Sequence, residues 1–523
     1  MKILILLASL LSATPADEFH FNNGAEPEGL DPHRTQSHDA AQLNYQMFEQ
    51  LVSRENDFIT VRPGLAESWN VSKDGLTWTF KLRPNLKWSN GEPLTAEQVR
   101  GSFLRAMDPK VAAPYVNWHT DFVVGAADLV KEYNSSKRAA AEKAWGVTVT
   151  APDTISIRLV KPVAFFLHLV GNPIYAVVHP SMYDPDAAGW KTPAKFIGNG
   201  AYNLTEWRVN QRIVMEKNPN YWDAGKVQIR KVVSYPINDQ QTTYNMYNTN
   251  QLDWTGENTL NPVMVPSLKP RKDFKYTQSF GTYIYVFNTK KKPFDNPKIR
   301  KAFSLAINTP EITDRILKNG VVPAYRLVPP GIPDYKEPVS LPTDMTARLA
   351  EAKKLLAEAG YPDGKGLPKI TLLYNTQESH HRIAQAIQRM WKEGLNVPVE
   401  IRNAEWKVVL AEQKAGNFDV VRFGWIGDYP DPSTFIDFLT TTSENNNGKY
   451  SNKEVDESLV KANLERDPAK RYKLLANAER LIIEEAAIAP IYHYVWYSLM
   501  SPRVANFEPN LFGHYYIRDF AKK

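Results

Sequence analysis

Apolar and polar residues alternate with a period of two in several short runs, and between these runs the apolar period lengthens to that of a helix. Trp78, Phe80 and Leu82 alternate with Thr79 and Lys81, which predicts a half-buried strand ended by Pro84-Asn85. Ile155, Ile157 and Leu159 repeat the pattern, with Ser156 and Arg158 facing outward and Pro162 as the stop. Between these strands Thr95 and Gln98 stand at capping-box spacing, so a helix is expected to open there with Val99, Phe103 and Ala106 on one face. Met345 to Ala359 carries Leu349, Ala352, Leu356 and Ala359 along one side, and Gly360 and Pro362 follow as stop signals. Ile383, Ile387, Met390 and Trp391 mark another helix, with Gly394 as its expected terminator. Asp467-Pro468 reads as the cap and first residue of a helix that continues through Glu484. The pattern predicts a mixed α/β chain without repeats or a low-complexity linker. Lys290-Lys291-Lys292 reads as a solvated turn.

One apolar run does not belong to this alternation. Lys2 precedes Ile3 to Leu11, and the small residues Ser12, Ala13, Thr14 and Ala16 follow. That order predicts a signal peptide over residues 1–16, cleaved between Ala13 and Ala16 and too short to span a bilayer. No cysteine follows the run, so a lipoprotein anchor is excluded. The longest later apolar stretch, Val163 to Val170, contains His168 and falls short of the roughly 18 residues of a membrane helix. A soluble, periplasmic protein is expected.

Composition narrows the chemistry. At roughly 150 residues per domain, 523 residues suggest three or so. The absence of cysteine removes disulfides, thiol nucleophiles, iron–sulfur clusters and cysteine-ligated zinc. Lys and Arg exceed Asp and Glu by 63 − 57 = 6, too mild a surplus to argue for nucleic acid. The 25 Tyr and 13 Trp suit a recognition surface, although large mixed domains also bury many rings.

Catalytic motifs do not emerge. There is no Gly-x-Ser-x-Gly elbow and no pair of helical histidines with an adjoining Glu. Gly360 to Lys365 lacks phosphate-loop spacing and ends a helix instead of opening one. His380 and His381 are adjacent, so their side chains diverge on a helix, and no acidic cluster accompanies them. Paired carboxylates remain open, since any two acids can meet in the fold. No enzyme activity, cofactor or metal is expected.

The stretch from Gly424 to Phe435 reads Gly-Trp-Ile-Gly-Asp-Tyr-Pro-Asp-Pro-Ser-Thr-Phe and follows the apolar Phe418-Asp419-Val420-Val421-Arg422. It resembles the periplasmic oligopeptide-binding proteins, the solute receptors of peptide ABC importers (extracellular solute-binding protein family 5). Further segments stand in family order, among them Asn23-Gly24 through His33, Gly64 through Trp69, Asn199-Gly200-Ala201-Tyr202, Pro219-Asn220-Tyr221-Trp222 and Glu405-Trp406-Lys407. The resemblance implies an α/β, two-lobed periplasmic-binding-protein fold with a hinged cleft and an additional third domain. Its implied boundaries are lobe I over 17–49, 176–279 and 496–523, the additional domain over 50–175, and lobe II over 280–495. It also implies a monomer that binds short peptides and partners the membrane permease subunits of a peptide ABC transporter.

In this family the peptide pairs through its backbone as an added strand, which makes binding tolerant of sequence. Carried over residue by residue, Asp428 is expected to pair with the peptide α-ammonium, and Arg422 and His380 to meet its carboxylate directly or through water. Trp425, Trp406 and Tyr115 match ring positions around side-chain pockets. Gly424 opens the Gly/Pro turn into which the Arg-bearing strand runs, and Gln36 stands where the family places an acid facing the start of the peptide. Other departures are Leu317 and Gln413 in place of cationic anchors, with Lys318 and Lys414 adjacent, and Ile284 in place of a pocket tyrosine. Gly281 and Ile426 replace two bridging cysteines, and Gly281 is expected to leave extra room. Murein peptides, dipeptides, haem or a nickel chelate are the alternative ligands within the fold; an exported enzyme or a holdase is the alternative outside it.

Overall fold

The computed structural model describes residues 14–335, 341–443 and 445–523. The apolar run Ile3 to Leu11 and the leader expected there lie outside the described residues. The chain forms two compact units that interleave along the sequence. One runs to Asn261 and takes in Leu268–Thr277 and Trp496–Lys523; the other comprises Pro262–Ser267 and Gln278–Val495.

The first unit holds two four-stranded sheets. In one, Glu18–Asn22 lies parallel to Lys231–Tyr235, which continues antiparallel through Arg212–Lys217 to Tyr202–Arg208. Phe19, Phe21, Met47, Phe48, Tyr202, Trp254 and Tyr515 form the centre of its core. In the other, Ala66–Val71, Thr77–Leu82, Thr154–Arg158 and Val147–Ala151 are antiparallel neighbours in that order. Two of these are the strands read from alternation. The expected capping box is present: the Thr95 side chain accepts from Gln98 N–H, and Gln98 Oε1 accepts from Thr95 N–H at 3.0 Å, opening Ala96–Ala106. Near the chain ends, Asp253 is fully enclosed and binds Lys522 Nζ at 3.0 Å, Arg503 Nη2 at 3.2 Å and the Thr14 hydroxyl at 2.9 Å.

The second unit is built on one mixed six-stranded sheet. Its order is Val322–Pro323, Ile488–Leu499, Phe274–Phe287, Val420–Ile426, Ile370–Asn375 and Val399–Ala404. Asp467 caps Pro468–Glu484 by accepting from Ala469 and Lys470 N–H, as its sequence predicts. Met345–Glu358 and Glu378–Leu395 are helical too. The second of these departs from expectation. It passes through Gly394 and stops at Asn396, which takes the left-handed conformation with φ 58°. Asn adopts that conformation more readily than most residues, so the glycine is not needed as a terminator. Lys290 to Lys292 form the expected exposed turn, with Lys291 Nζ 2.7 Å from Asp419.

Gly281 and Ile426 face each other across the antiparallel Phe274–Phe287 and Val420–Ile426 strands. The expected extra room is absent. A Cβ on Gly281 would stand 2.3 Å from Ile426 Cδ1, so the isoleucine side chain lies over the glycine and fills the space of a bridge. Replacing Ile426 with cysteine removes that overlap, and the Tyr494 ring, whose Cδ2 stands 3.0 Å from the new Cβ, must give slightly while Trp425 C=O stays at 3.1 Å. Gly281→Cys with Ile426→Cys should oxidise to a disulfide and gain about 2–4 kcal/mol of stability. Thiol titration and thermal melts with and without reductant check this.

Candidate functional site

The Val420–Ile426 strand lies inside the sheet, yet one of its edges is largely unpaired by strand. On one side all seven residues pair with Gly281–Phe287. On the other, Ile370–Asn375 pairs only through Leu372↔Val420 and Leu373↔Val421 before its register continues with Val399–Ala404 alone. Gly427 N–H donates to Phe280 C=O at 2.8 Å, which sets the alternation of the antiparallel ladder. The ladder bonds then belong to residues 421, 423 and 425, and the N–H and C=O groups of Arg422, Gly424 and Ile426 point to the other edge. Gln413 Nε2 reaches Arg422 C=O at 3.4 Å from that side. Beyond Arg422, Gly424 and Ile426 present backbone groups of the kind an extended chain pairs with.

Arg422 marks one end of this edge. Its Nη2 donates to the Tyr494 hydroxyl at 2.9 Å and its Nη1 to Asn375 Oδ1 at 3.3 Å, while its guanidinium lies 4.5 Å from the centre of the Tyr283 ring. Its Nε has no hydrogen-bond partner, and no carboxylate pairs with it among the described residues. A guanidinium stays charged in this setting. Tyr283 continues the group to His380, whose Nδ1 is 3.3 Å from the Tyr283 hydroxyl. Burial pushes the His380 pKa down to about 3, and the charge of Arg422 adds to the shift. His380 is therefore neutral at ordinary pH and serves as a hydrogen-bonding group. Gly424 belongs here by close approach: a Cβ would stand 2.5 Å from the Tyr494 hydroxyl, so a side chain would displace the tyrosine that holds Arg422.

Asp428 lies just past the other end. Burial raises its pKa to about 7, and the negative charge of Asp437 contributes. No cationic side chain pairs with its carboxylate among the described residues. Thr434 Oγ1 accepts from both Asp428 N–H at 3.4 Å and Trp425 Nε1 at 3.3 Å, so these two site residues share one anchor. The Trp425 ring stacks on Phe438 with centroids 4.8 Å apart. Trp406 stands apart from both groups as the first residue of Trp406–Ala415, with 42% of its surface exposed.

Two expected site residues belong to the first unit. Tyr115 packs against Trp118 with ring centroids 5.1 Å apart. Gln36 is exposed, and its N–H donates to Glu28 Oε1 at 2.6 Å, so an acid stands next to the position where the sequence lacks one. Among the other departures, Gln413 is buried, Lys414 and Lys318 are exposed, and Ile284 is fully enclosed in the sheet. Tyr283, Tyr494, Asn375, Thr434 and Asp437 escaped sequence reasoning. Thr434 lies inside the Gly424 to Phe435 stretch, which gave it no role.

A family model described as bacterial extracellular solute-binding proteins, family 5 Middle, matches residues 60–447. The chain belongs to this family. The family's periplasmic oligopeptide-binding protein OppA of Salmonella typhimurium is 34% identical over 491 residues, 93% of this chain and 89% of its own. The periplasmic murein peptide-binding protein MppA of Escherichia coli is 35% identical over 488 residues, with the same coverage of 93% and 89%. The crystal structure of Haemophilus influenzae OppA in complex with RPPGFSPFR superimposes with a TM-score of 0.78 at 32% identity, covering 98% of this chain and 100% of the other. No helix among the described residues is long and apolar enough to cross a membrane.

The raised pKa of Asp428 fixes a pH dependence. An ammonium paired with Asp428, as expected from the sequence, would need the carboxylate form, so below about pH 7 a proton would have to leave first. Affinity for a peptide with a free amino terminus should fall by an order of magnitude or more from pH 7 to pH 5, and should fall again above about pH 8 as the α-amino group deprotonates. Calorimetric titrations across this range check the profile; a peptide with a blocked amino terminus should not show it.

Proposed function

We propose that this chain is a periplasmic receptor that binds short peptides and delivers them to the membrane permease of an ABC importer. One arrangement carries the reading: a cation and an anion, neither paired with a counter-ion among the described residues, bracket the open backbone edge of a single strand. A peptide has the complementary order, an ammonium, a run of N–H and C=O groups, and a carboxylate. Asp428 holds the ammonium through a charge-assisted hydrogen bond. Gly424 and Ile426 pair with the backbone, and Arg422 receives the carboxylate while neutral His380 contributes a hydrogen bond. Trp406 and Trp425 supply rings for side chains. Relatives named for oligopeptide and murein peptide binding support the ligand class. The murein peptide-binding relative makes a murein tripeptide the second ligand to test.

The test is the α-ammonium. Asp428→Asn should weaken binding of a free tripeptide by about 2–5 kcal/mol, the usual loss when one partner of a desolvated charge pair is removed. An N-acetylated peptide should bind wild-type protein correspondingly weakly. Equal affinity for the free and acetylated forms would overturn the assignment.

The receptor reading requires export, and the apolar run Ile3 to Leu11 is the leader expected to supply it. Cleavage after Ala13 keeps Thr14, whose hydroxyl bonds Asp253, whereas cleavage after Ala16 removes it. The exported protein is therefore expected to begin at Thr14, which intact mass spectrometry reads directly.

A further inference from the structure

The turn that carries Asp428 is tied to the body of its unit by a second acid three residues on. Arg471, in the first turns of Pro468–Glu484, binds Asp431 with two parallel bonds, Nη1 to Oδ2 at 2.5 Å and Nη2 to Oδ1 at 2.8 Å. Both side chains are almost wholly buried, at 4% and 8% exposure. Asp431 Oδ1 also accepts from Ser433 N–H at 2.9 Å, at the start of the short helix Ser433–Asp437. Pro430 and Pro432 flank Asp431 and restrict its backbone, and Asp431 N–H donates to Tyr429 C=O at 2.7 Å. At the near side of Asp428, Gly427 N–H is fixed to Phe280 C=O. Asp428 thus lies between a ladder bond and a buried ion pair.

A buried ion pair is a poor way to gain stability. Desolvation offsets most of its attraction, and apolar residues of similar size often serve as well. Here Arg471 Nε is left without a hydrogen-bond partner as well. What two parallel bonds supply beyond attraction is direction, since they fix the carboxylate plane of Asp431 against the guanidinium. We propose that Asp431 and Arg471 are a positioning pair that aims the Asp428 carboxylate at the ligand ammonium. The inference rests on the assignment of Asp428 to the ammonium and deepens it. Neither residue of the pair touches the peptide.

The experiment separates aim from stability. The double variant Asp431→Leu with Arg471→Met replaces the pair with apolar side chains, and Arg471→Lys keeps the charge but loses the paired bonds. Each is compared with wild type for thermal midpoint, for the ratio of affinities for free and N-acetylated trialanine, and for the acid-side midpoint of binding. The double variant should melt within a few degrees of wild type, while its free-to-acetylated ratio falls at least tenfold and its acid midpoint shifts. Arg471→Lys should lose part of the ratio. A wild-type ratio and midpoint in the double variant would overturn the positioning role. If the double variant does not fold, an unchanged ratio in Arg471→Lys would overturn it. A wild-type protein that binds both peptides equally would instead overturn the assignment of Asp428 itself, and the pair's role with it.

Discussion

A central strand that stays open along one edge is the constraint around which the second unit is arranged. An unpaired row of backbone N–H and C=O groups is a ready template for another chain, so proteins rarely leave such an edge open inside a sheet. Val420–Ile426 keeps one because Ile370–Asn375 leaves it after two residues and pairs with Val399–Ala404 instead. The side chains gathered there follow from the edge. Gln413 reaches the carbonyl of Arg422, Gly424 admits the Tyr494 hydroxyl, and the aromatic ring of Tyr283 lies beneath the guanidinium. On the other edge all seven residues are laddered with Gly281–Phe287.

Charge placement then gives the edge a polarity. Arg422 near one end and Asp428 past the other lie on one continuous stretch of chain, so their spacing is set by covalent geometry. Each is surrounded by groups that hold it without neutralising it. Tyrosine hydroxyls and an amide surround Arg422, and a threonine hydroxyl anchors the backbone of Asp428. The raised pKa of Asp428 comes from its burial, without a counter-ion among the described residues, and from the nearby charge of Asp437.

Much of the scaffold was legible because local rules decided it. The strand around Phe80, the capping box at Thr95 and the Asp467-Pro468 cap each depend on residues within one turn or one pleat, and all are present. Gly394 misled because sequence cannot say which of two permissive residues takes the left-handed turn, and Asn396 took it. Gly281 misled in another way: the vacancy it suggests is filled from the facing strand, by a residue 145 positions later. The candidate site divides along the same line. Asp428, Arg422 and Gly424 were singled out together because one contiguous stretch carries the resemblance. Tyr283, Asn375 and Tyr494 lie on three different strands and meet Arg422 only through the sheet register.

The same distinction explains why the helix Pro468–Glu484 belongs to the functional account although it contributes no contact to the edge. Besides Arg471, it carries Glu479, which is fully enclosed and accepts from Leu327 N–H at 3.0 Å, Val328 N–H at 2.7 Å and the Tyr335 hydroxyl at 2.6 Å. Tyr335 in turn packs edge-on against Tyr472, the neighbour of Arg471, with ring centroids 5.6 Å apart. One rigid element thus fixes both the turn bearing Asp428 and the loop from Leu327 to Tyr335. Each attachment is a buried carboxylate that accepts several hydrogen bonds, the arrangement in which burying a charge is tolerable. Flexible apolar contacts would hold these loops with similar energy but without fixing their orientation. Where the function is to present one carboxylate at a set angle, orientation is the property the buried polar groups provide.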